Sequence, residues 1–266
     1  TLVNPGGTNE DNNAFGDLDI LDSLTITGAG AASTIINGNA LDKVIAANPI
    51  CDVAMNVTIE NVTIRNGRNS QVWGASDWSF TGGGIDWCGF TSGNFTLRNA
   101  IVEDNVNVNG YGGGLNTDSV NNYNGTITLD TVTFRNNSTQ GVSNQESNGG
   151  GLNLFGERPT VLIQNCTFEN NSVAQEYAVG GGMYFRLGFG GSITVSNTLV
   201  NGNLAGSMGG GIFANLMHNS TTLTINNNTR ITNNISGNAA GGTAGGSGLV
   251  IDGVGNVTPV TLNKIV

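Results

Sequence analysis

The chain has 266 residues, of which 42 are glycine and only 11% are charged. Nine basic and nineteen acidic residues give a net charge of −10 and an isoelectric point near 4.3. This charge argues against nucleic acid or anionic membranes as partners, since both bind basic surfaces. No apolar run reaches the roughly 18 residues of a transmembrane helix, so none is predicted. Abundant Gly, Asn, Thr and Ser favour turns and short strands over amphipathic helices.

Residues 1–60 are predicted to form the N-terminal coils of the fold. An acidic group near their beginning could hold Ca²⁺ through oxygen ligands, or could be a solvated acidic cap, since its spacing matches no calcium-binding loop. The group consists of Glu10, Asp11, Asp17, Asp19 and Asp22. No other cofactor is predicted.

The cysteines and tryptophans are unevenly distributed. Cys51 and Cys88 both lie in irregular segments and could form a disulfide or remain free thiols. Trp73 and Trp78 could stack on sugar rings, or their loop could cover the first coils as a local core. Trp87 lies two positions after apolar Ile85 in a predicted strand, so both side chains should lie on the same face and Trp87 is expected to point inward.

Residues 61–250 contain six regular repeats, and this self-similarity is the strongest signal in the sequence. In each repeat a glycine element places three glycines before an apolar residue, with a looser last copy. An Asn element places Asn three positions after an apolar anchor, except in the first repeat, which has Gly67. Both elements recur roughly every 29–38 residues. The glycine elements are residues 82–85, 112–115, 149–152, 180–183, 209–212 and 245–249, and the anchors are Ile64, Val102, Phe134, Phe168, Val200 and Ile231.

Short alternating strands precede the Asn elements, for example at residues 125–129 and 192–195. Three short strands cannot enclose a core by themselves, but parallel stacking of successive units at about 4.8 Å does. We therefore predict one all-β domain over residues 1–266. It is a right-handed parallel β-helix, a solenoid with three short strands per coil and about 7–8 coils.

Alignment of the repeats gives columns of residues that should stack on one another. The position two before each anchor is small, as an interior requires, so Cys166 is interpreted as a core residue. The position after the anchor points outward, and Arg65, Glu103, Arg135 and Glu169 alternate in charge along it, which should set the register. The Asn column predicts a sharp turn, because Asn tolerates left-handed backbone and bonds neighbouring amides. The small positions are Val62, Ala100, Val132, Cys166, Thr198 and Thr229.

At these motifs the sequence resembles secreted bacterial β-helix proteins with polymorphic-outer-membrane-protein-type repeats, whose signature pairs Gly-Gly-x-aliphatic with Phe-x-x-Asn. Residues 134–137 and 168–171 match the second element directly, and residues 16–42 are similar to the start of the CSLREA-domain proteins. The resemblance implies an exported protein of the cell surface or extracellular space, with a structural or adhesive role. The Cys-Ser-Leu-Arg-Glu-Ala stretch and the C-terminal anchor of that family have no match in this sequence.

A polysaccharide lyase or glycoside hydrolase is the alternative from a different class, because many right-handed β-helices cleave acidic polysaccharides. Such an enzyme needs clustered carboxylates with a basic or histidine partner. The only histidine, His218, lies in a predicted turn, and Lys43 and Lys264 lie at opposite ends of the chain. The sequence therefore predicts no catalytic residue and a non-enzymatic role.

Several Asn-x-Ser/Thr sequons are candidate acceptors for N-glycosylation, which requires a surface position. Turn positions are expected to be better acceptors than strand positions. The candidates are Asn124, Asn137, Asn219 and Asn234.

Residues 251–266 form an alternating C-terminal strand that could contact another subunit. The outward positions on the glycine-element strands also change from polar to apolar toward the C-terminus, and an exposed apolar stripe marks a contact surface. Since β-helix ends are open edges, the uncapped ends indicate either a fragment of a longer chain or head-to-tail stacking of copies, and we predict stacking into a filament or stalk. The alternative is a monomeric adhesin that binds carbohydrate. The assembly candidates are Tyr184, Phe213, Val250, Val260, Leu262 and Ile265.

Overall fold

A computed structural model gives the structure of residues 16–70, 81–108, 110–120, 122–141, 147–173, 175–237, 245–253 and 260–263. Within these ranges the chain forms strands and turns and no helix. The strands of the first half are β1 (Leu18–Ile20), β2 (Leu24–Thr27), β3 (Ile35–Asn37), β4 (Ile45–Ala47), β5 (Asn56–Glu60), β6 (Thr63–Arg65), β7 (Arg68–Asn69), β8 (Ile85–Phe90), β9 (Asn94–Glu103), β10 (Val106–Asn107), β11 (Leu115–Val120), β12 (Thr126–Arg135) and β13 (Ser138–Thr139). Those of the second half are β14 (Leu152–Gly156), β15 (Thr160–Gln164), β16 (Thr167–Glu169), β17 (Ser172–Val173), β18 (Met183–Leu187), β19 (Gly191–Ser196), β20 (Leu199–Asn201), β21 (Leu204–Ala205), β22 (Ile212–Leu216), β23 (Thr221–Asn226), β24 (Arg230–Thr232), β25 (Ile235–Ser236), β26 (Leu249–Gly253) and β27 (Val260–Leu262).

The strands form three sheets that run along the stack of coils. The first sheet has eight strands in the order β1-β4-β8-β11-β14-β18-β22-β26. The second has thirteen strands, and the third has six short ones in the order β25-β21-β17-β13-β10-β7. Neighbouring strands are parallel and come from successive coils. This topology confirms the predicted parallel β-helix with three strands per coil.

Each coil turns at corners where one residue has left-handed backbone. At the first corner, which bends the second sheet, these residues are Asn61, Asn99, Thr131, Asn165, Asn197 and Asn228. At the second corner, between the second and third sheets, they are Asn66, Asp104, Asn136, Asn170, Gly202 and Asn233. The third corner uses the first glycine of the glycine elements, such as Gly149 with a φ of 68°. Gly and Asn enter this conformation at low cost, which accounts for their abundance.

The second glycine of each glycine element lies where successive coils touch. A Cβ atom on Gly150 would lie 2.5 Å from the Gly181 carbonyl oxygen of the next coil and 2.6 Å from the Ser172 backbone nitrogen. Backbone atoms cannot yield enough to admit a side chain there. The repeated glycines are therefore required by the close packing of the first sheet against the third.

The interior consists of columns of like residues, as predicted. Phe134 pairs in register with Phe168, and their rings stack with centroids 4.7 Å apart. Trp87 is fully buried and stacks on Phe95 at 5.4 Å, which confirms its inward orientation. All six members of the small column are buried. Burial raises the pKa of the Cys166 thiol to about 12, so this cysteine is an unreactive core residue.

A ladder of buried asparagines joins the coils at the second corner. The Oδ1 atom of Asn171 accepts hydrogen bonds from the backbone N–H and the Nδ2 of Asn137, at 3.1 and 3.0 Å. The same Nδ2 donates to the Val102 carbonyl at 2.9 Å. Each carboxamide is thus bonded to the coils on both sides of it. The ladder residues are Asn105, Asn137, Asn171, Asn203 and Asn234.

The sequence predicted left-handed backbone at the Asn column. This prediction is wrong by one position, because the left-handed residue is the one before each of these asparagines. Asn136 has a φ of 55°, whereas Asn137 is absent from the left-handed residues of the second corner. The left-handed residue makes the turn, and the residue after it directs its side chain inward to the ladder. Two adjacent columns therefore divide the roles that the sequence assigned to one.

The outward charge column has the predicted register. Arg135 pairs with Glu103 on one side and with Glu169 on the other. The Arg135 Nη2 lies 2.6 Å from Glu103 Oε2, and the Arg65 Nη1 lies 3.9 Å from Glu103 Oε1. The arginines are partly exposed, so each pair contributes under about 1 kcal/mol and mainly favours the correct register.

Replacing Asn137 with alanine should lower the free energy of unfolding by about 2–4 kcal/mol. The change leaves the Asn105 backbone N–H without the Asn137 oxygen and the Val102 carbonyl without the Asn137 Nδ2, and each lost buried bond costs about 1–3 kcal/mol. Denaturant unfolding followed by circular dichroism measures the loss. The control is Asn56→Ala, since Asn56 accepts a bond from Asn94 on the exposed surface and its loss should cost under about 0.5 kcal/mol. An equal loss in both variants would contradict the role of the ladder.

Candidate functional site

The outer face of the first sheet does not carry the exposed apolar stripe that the sequence predicted. Tyr184 and Phe213 are each only 6% exposed, their rings stack at 5.9 Å, and Val179 and Met208 pack against them. Val179 and Met208 immediately precede glycine elements, and the turn there brings them over the face. The exposure predicted for Tyr184 and Phe213 is therefore wrong, which removes the basis of their predicted assembly role, and Val250 lies half-buried in the same cluster. The column itself is Asp86, Asn116, Asn153, Tyr184, Phe213 and Val250.

The N-terminal half of the same column is a buried polar network centred on Asp86. The Lys43 Nζ lies 3.0 Å from Asp86 Oδ2, which also accepts a hydrogen bond from Thr81 Oγ1 at 2.8 Å. The Asn116 Nδ2 donates to Asp86 Oδ1 at 2.9 Å and to Asp118 Oδ2 at 2.8 Å. The Lys43 and Asp86 side chains are 3% and 13% exposed. The ion pair is therefore largely removed from water.

Burial and neighbouring charges set the protonation of this network. Burial, followed by the Asp86 carboxylate, raises the pKa of Asp118 to about 7, against the opposing effects of Asn116 and Lys43. Burial lowers the pKa of Lys43, but the carboxyl groups of Asp86 and Asp17 outweigh it, and the pKa lies above its ordinary value. Lys43 is thus an ammonium, while Asp118 carries a proton over part of the neutral range.

The calcium site stays a prediction, because the structure describes only three of its five acidic residues. Asp17 and Asp19 are buried, and burial raises the pKa of Asp17 to about 8. Asp22 is exposed. Glu10 and Asp11 lie outside the described residues. Within the described ranges, no three acidic, histidine or cysteine side chains converge on a metal position.

Cys51 and Cys88 form a disulfide in the structure, with Cα atoms 5.4 Å apart. Cys51 follows β4 and Cys88 lies in β8, and these strands are neighbours in the first sheet. The bond therefore links two successive coils. Its Cα separation lies in the normal range for disulfides.

The residues considered for sugar binding and catalysis lie apart from the polar network. Trp73 and Trp78 are outside the described residues, so their role in sugar stacking stays a prediction. His218 is exposed, and its Nδ1 contacts Ser220 Oγ at 2.8 Å within a turn. This turn follows β22, four strands beyond β8 in the first sheet. The fold therefore does not bring the histidine to Asp86.

One of the four glycosylation candidates is wrong. A glycan is attached to the Asn Nδ2, which must reach solvent, whereas Asn137 is fully buried in the ladder. Asn234 is half-buried and its Nδ2 donates to the Val200 carbonyl at 3.0 Å, and it stays a candidate. Asn124 and Asn219 are exposed outside strands and remain predictions.

The interior columns end at exposed side chains in the first and last described coils. In β2, Leu24 stacks in register on a buried valine and is 45% exposed. In β27, Leu262 stacks on buried Ile225 and is 47% exposed, while Val260 is half-buried. Ile265 lies outside the described residues. Among the described strands, β2, β3, β24 and β27 are edge strands of the second sheet, each paired with a neighbouring coil on one side only.

A shallow cavity of about 250 Å³ lies at the second corner near the first coils. It offers amide, guanidinium and carboxylate groups, which are suited to hydrogen bonding with hydroxyl groups. Asp104 in its wall already accepts a bond from Asn136 at 3.2 Å. The lining residues are Asn39, Ala40, Asn66, Gly67, Arg68, Asp104 and Val106.

No family model, no curated protein and no solved structure matches this chain. The resemblance to exported bacterial β-helix proteins therefore stays a prediction from motifs. In the described part of the chain no helix is long and apolar enough to cross a bilayer.

The polar network should make the protein less stable as pH rises. The folded-state pKa values of Asp118 and Asp17, about 7 and about 8, exceed the ordinary value of 3.8. The folded state therefore binds more protons than the unfolded state, and this stabilisation is present at low pH and lost as pH rises through the folded-state values. Asp118→Asn mimics the protonated acid and should be more stable than wild type by about 1–3 kcal/mol near pH 8.

Thermal unfolding at several pH values measures this difference between variant and wild type. The two proteins should converge near pH 4, where the wild-type Asp118 is also protonated. Asp22→Asn, at an exposed position, serves as the control and should follow wild type at every pH. A constant difference between Asp118→Asn and wild type across the range would contradict the assignment.

Breaking the disulfide by Cys88→Ser should lower the free energy of unfolding by about 3–4 kcal/mol, as expected for cross-linking residues 37 positions apart. In wild-type protein denatured without reductant, an alkylating reagent should modify one cysteine only, Cys166. Peptide mass spectrometry identifies the modified residue. Modification of all three cysteines under these conditions would show that the disulfide is absent.

Proposed function

We propose that the protein is a non-enzymatic extracellular structural subunit whose β-helices stack head to tail into a filament or stalk. This proposal rests on Leu24 and Leu262, the exposed residues at which two interior columns end. Both side chains belong to the interior columns, where every residue of an inner coil is covered by the next coil. Burial of one leucine side chain contributes roughly 1.5–3 kcal/mol, so leaving both ends exposed has a cost that a neighbouring coil removes.

The two ends are suited to each other because all strands are parallel. In a parallel stack the free edge of the last coil presents the groups that the free edge of the first coil needs. Leu24 and Ile26 in β2 have the same two-residue spacing as Val260 and Leu262 in β27, so the columns can continue across a junction. A contact between two different ends of identical molecules does not close, and it produces a linear polymer.

Other features support an extracellular location. The disulfide between Cys51 and Cys88 is typical of proteins in oxidising compartments. The surface relies on neutral polar groups, with only 11% of residues charged. A stalk or surface fibre of this kind also agrees with the structural or adhesive role that the motif resemblance implies.

Electron microscopy of the purified native protein over a range of concentrations tests the proposal. We expect uniform fibres whose axial repeat matches the length of one β-helix, forming above a threshold concentration. Leu24→Glu should raise this threshold at least about tenfold, since burying an unpaired carboxylate at the junction costs more than about 1.4 kcal/mol. Sedimentation velocity gives the threshold in solution.

The matched control is Leu162→Glu, because Leu162 is 37% exposed on the outer face of an inner coil. This variant should assemble like wild type. Dispersed rods at every concentration would overturn the filament. A screen of polysaccharides for binding at the cavity near Arg68 and Asp104 would then test the alternative, a monomeric carbohydrate-binding adhesin.

A further inference from the structure

Lys43 and Asp86 form an unusual pair for a protein with so few charges. The ammonium and the carboxylate are in contact at 3.0 Å and almost inaccessible to water. Removing both charges from water is costly. The neighbouring carboxyl groups keep Lys43 an ammonium, so a condensation must begin with transfer of a proton from Lys43 to Asp86, and it would leave no charge on either side chain in the enclosed site.

The Asp86 carboxyl group is held by donors on both oxygens. Thr81 Oγ1 and the Lys43 ammonium donate to Oδ2, and Asn116 Nδ2 donates to Oδ1. Donors placed in this way stabilise negative charge that develops on a carboxyl oxygen when a nucleophile adds to its carbon. The Lys43 nitrogen is the nucleophile already in contact with this group.

The neighbouring acid does not oppose such an addition. Asp118 shares the Asn116 donor with Asp86. Burial raises the pKa of Asp118 to about 7, so it is protonated in a large share of molecules at neutral pH. A protonated carboxyl group adds no second negative charge beside the reacting centre.

We propose that Lys43 and Asp86 condense spontaneously to an isopeptide bond after the chain folds. One proton passes from Nζ to Oδ2, which leaves a neutral amine beside a neutral carboxylic acid. The amine nitrogen then forms a bond to Cγ of Asp86, and the bond from Cγ to Oδ2 breaks. A second proton leaves Nζ with this oxygen, and one water molecule is released. No oxidant, cofactor or external reactant is needed.

Two physical terms favour this reaction in the folded protein. Fixed contact between the reacting groups replaces a bimolecular encounter and removes much of its entropic barrier. The enclosed site also limits the entry of water that would hydrolyse the product. In the unfolded chain the two groups are 43 residues apart and solvated, so the bond is not expected to form.

The bond would lie beside the disulfide. Lys43 and Cys51 flank β4, while Asp86 and Cys88 both lie in β8. The two covalent links would therefore join the same pair of coils. One link would start from a residue before β4 and the other from a residue after it. Chain pulled from the N-terminal side could not peel β4 from β8.

Mass spectrometry of the full-length chain after reduction of its disulfide tests the proposal. The folded wild-type protein should weigh less than its composition by one water molecule. Protease digestion should release one branched peptide that joins residues 43 and 86. Lys43→Arg should have the mass of its own composition, because a guanidinium does not condense, and Lys264→Arg is the matched control that should still lose water.

Asp86→Asn gives a second, independent readout. Its side-chain amide would react with loss of ammonia, so the mature variant should reach the same mass as cross-linked wild type. A wild-type mass equal to the composition, with residues 43 and 86 in separate peptides, would overturn the proposal. Loss of water with an unmodified Lys43 would overturn it as well.

Discussion

The coils that contain residues 105–234 are joined to one another through the asparagine ladder, and the rest of the structure depends on that constraint. Asn137 accepts from Asn105 through its oxygen and donates to Asn171 through its nitrogen. These groups are buried, and each unmade bond costs about 1–3 kcal/mol. One coil therefore cannot shift its register without leaving unsatisfied groups in two neighbours. The ladder thus fixes which outward side chains stack on one another in the coils that it joins.

In this register, the stacked side chains on the outer face of the first sheet form a second buried cluster. Its N-terminal half is polar and contains the enclosed pair of Lys43 and Asp86, and its C-terminal half is aromatic and contains Tyr184 and Phe213. Both halves are buried although they lie outside the solenoid. Along this column the apolar side chains of Tyr184 and Phe213 are therefore buried, whereas Leu24 and Leu262 in the first and last described coils are exposed.

The repeats predicted the parallel stack and its interior columns, because the Asn and glycine elements recur once per coil and so give the register directly. They did not predict the burial of Tyr184, since this depends on Val179 and Met208, which come from segments of variable length with no pattern of their own. The pair of Lys43 and Asp86 was missed for a related reason. Lys43 precedes the first glycine element, where no repeat shows which strand will face it.

The ladder also determines how a molecule of this kind can change in length. Each asparagine of the ladder presents the same acceptor to the preceding coil and the same donors to the following one, so duplication or deletion of one coil leaves the ladder continuous. Each such event lengthens or shortens the rod by about 4.8 Å, the spacing of adjacent strands. The number of repeats therefore sets the length of the rod. This length can evolve by one coil at a time while both ends keep their structure.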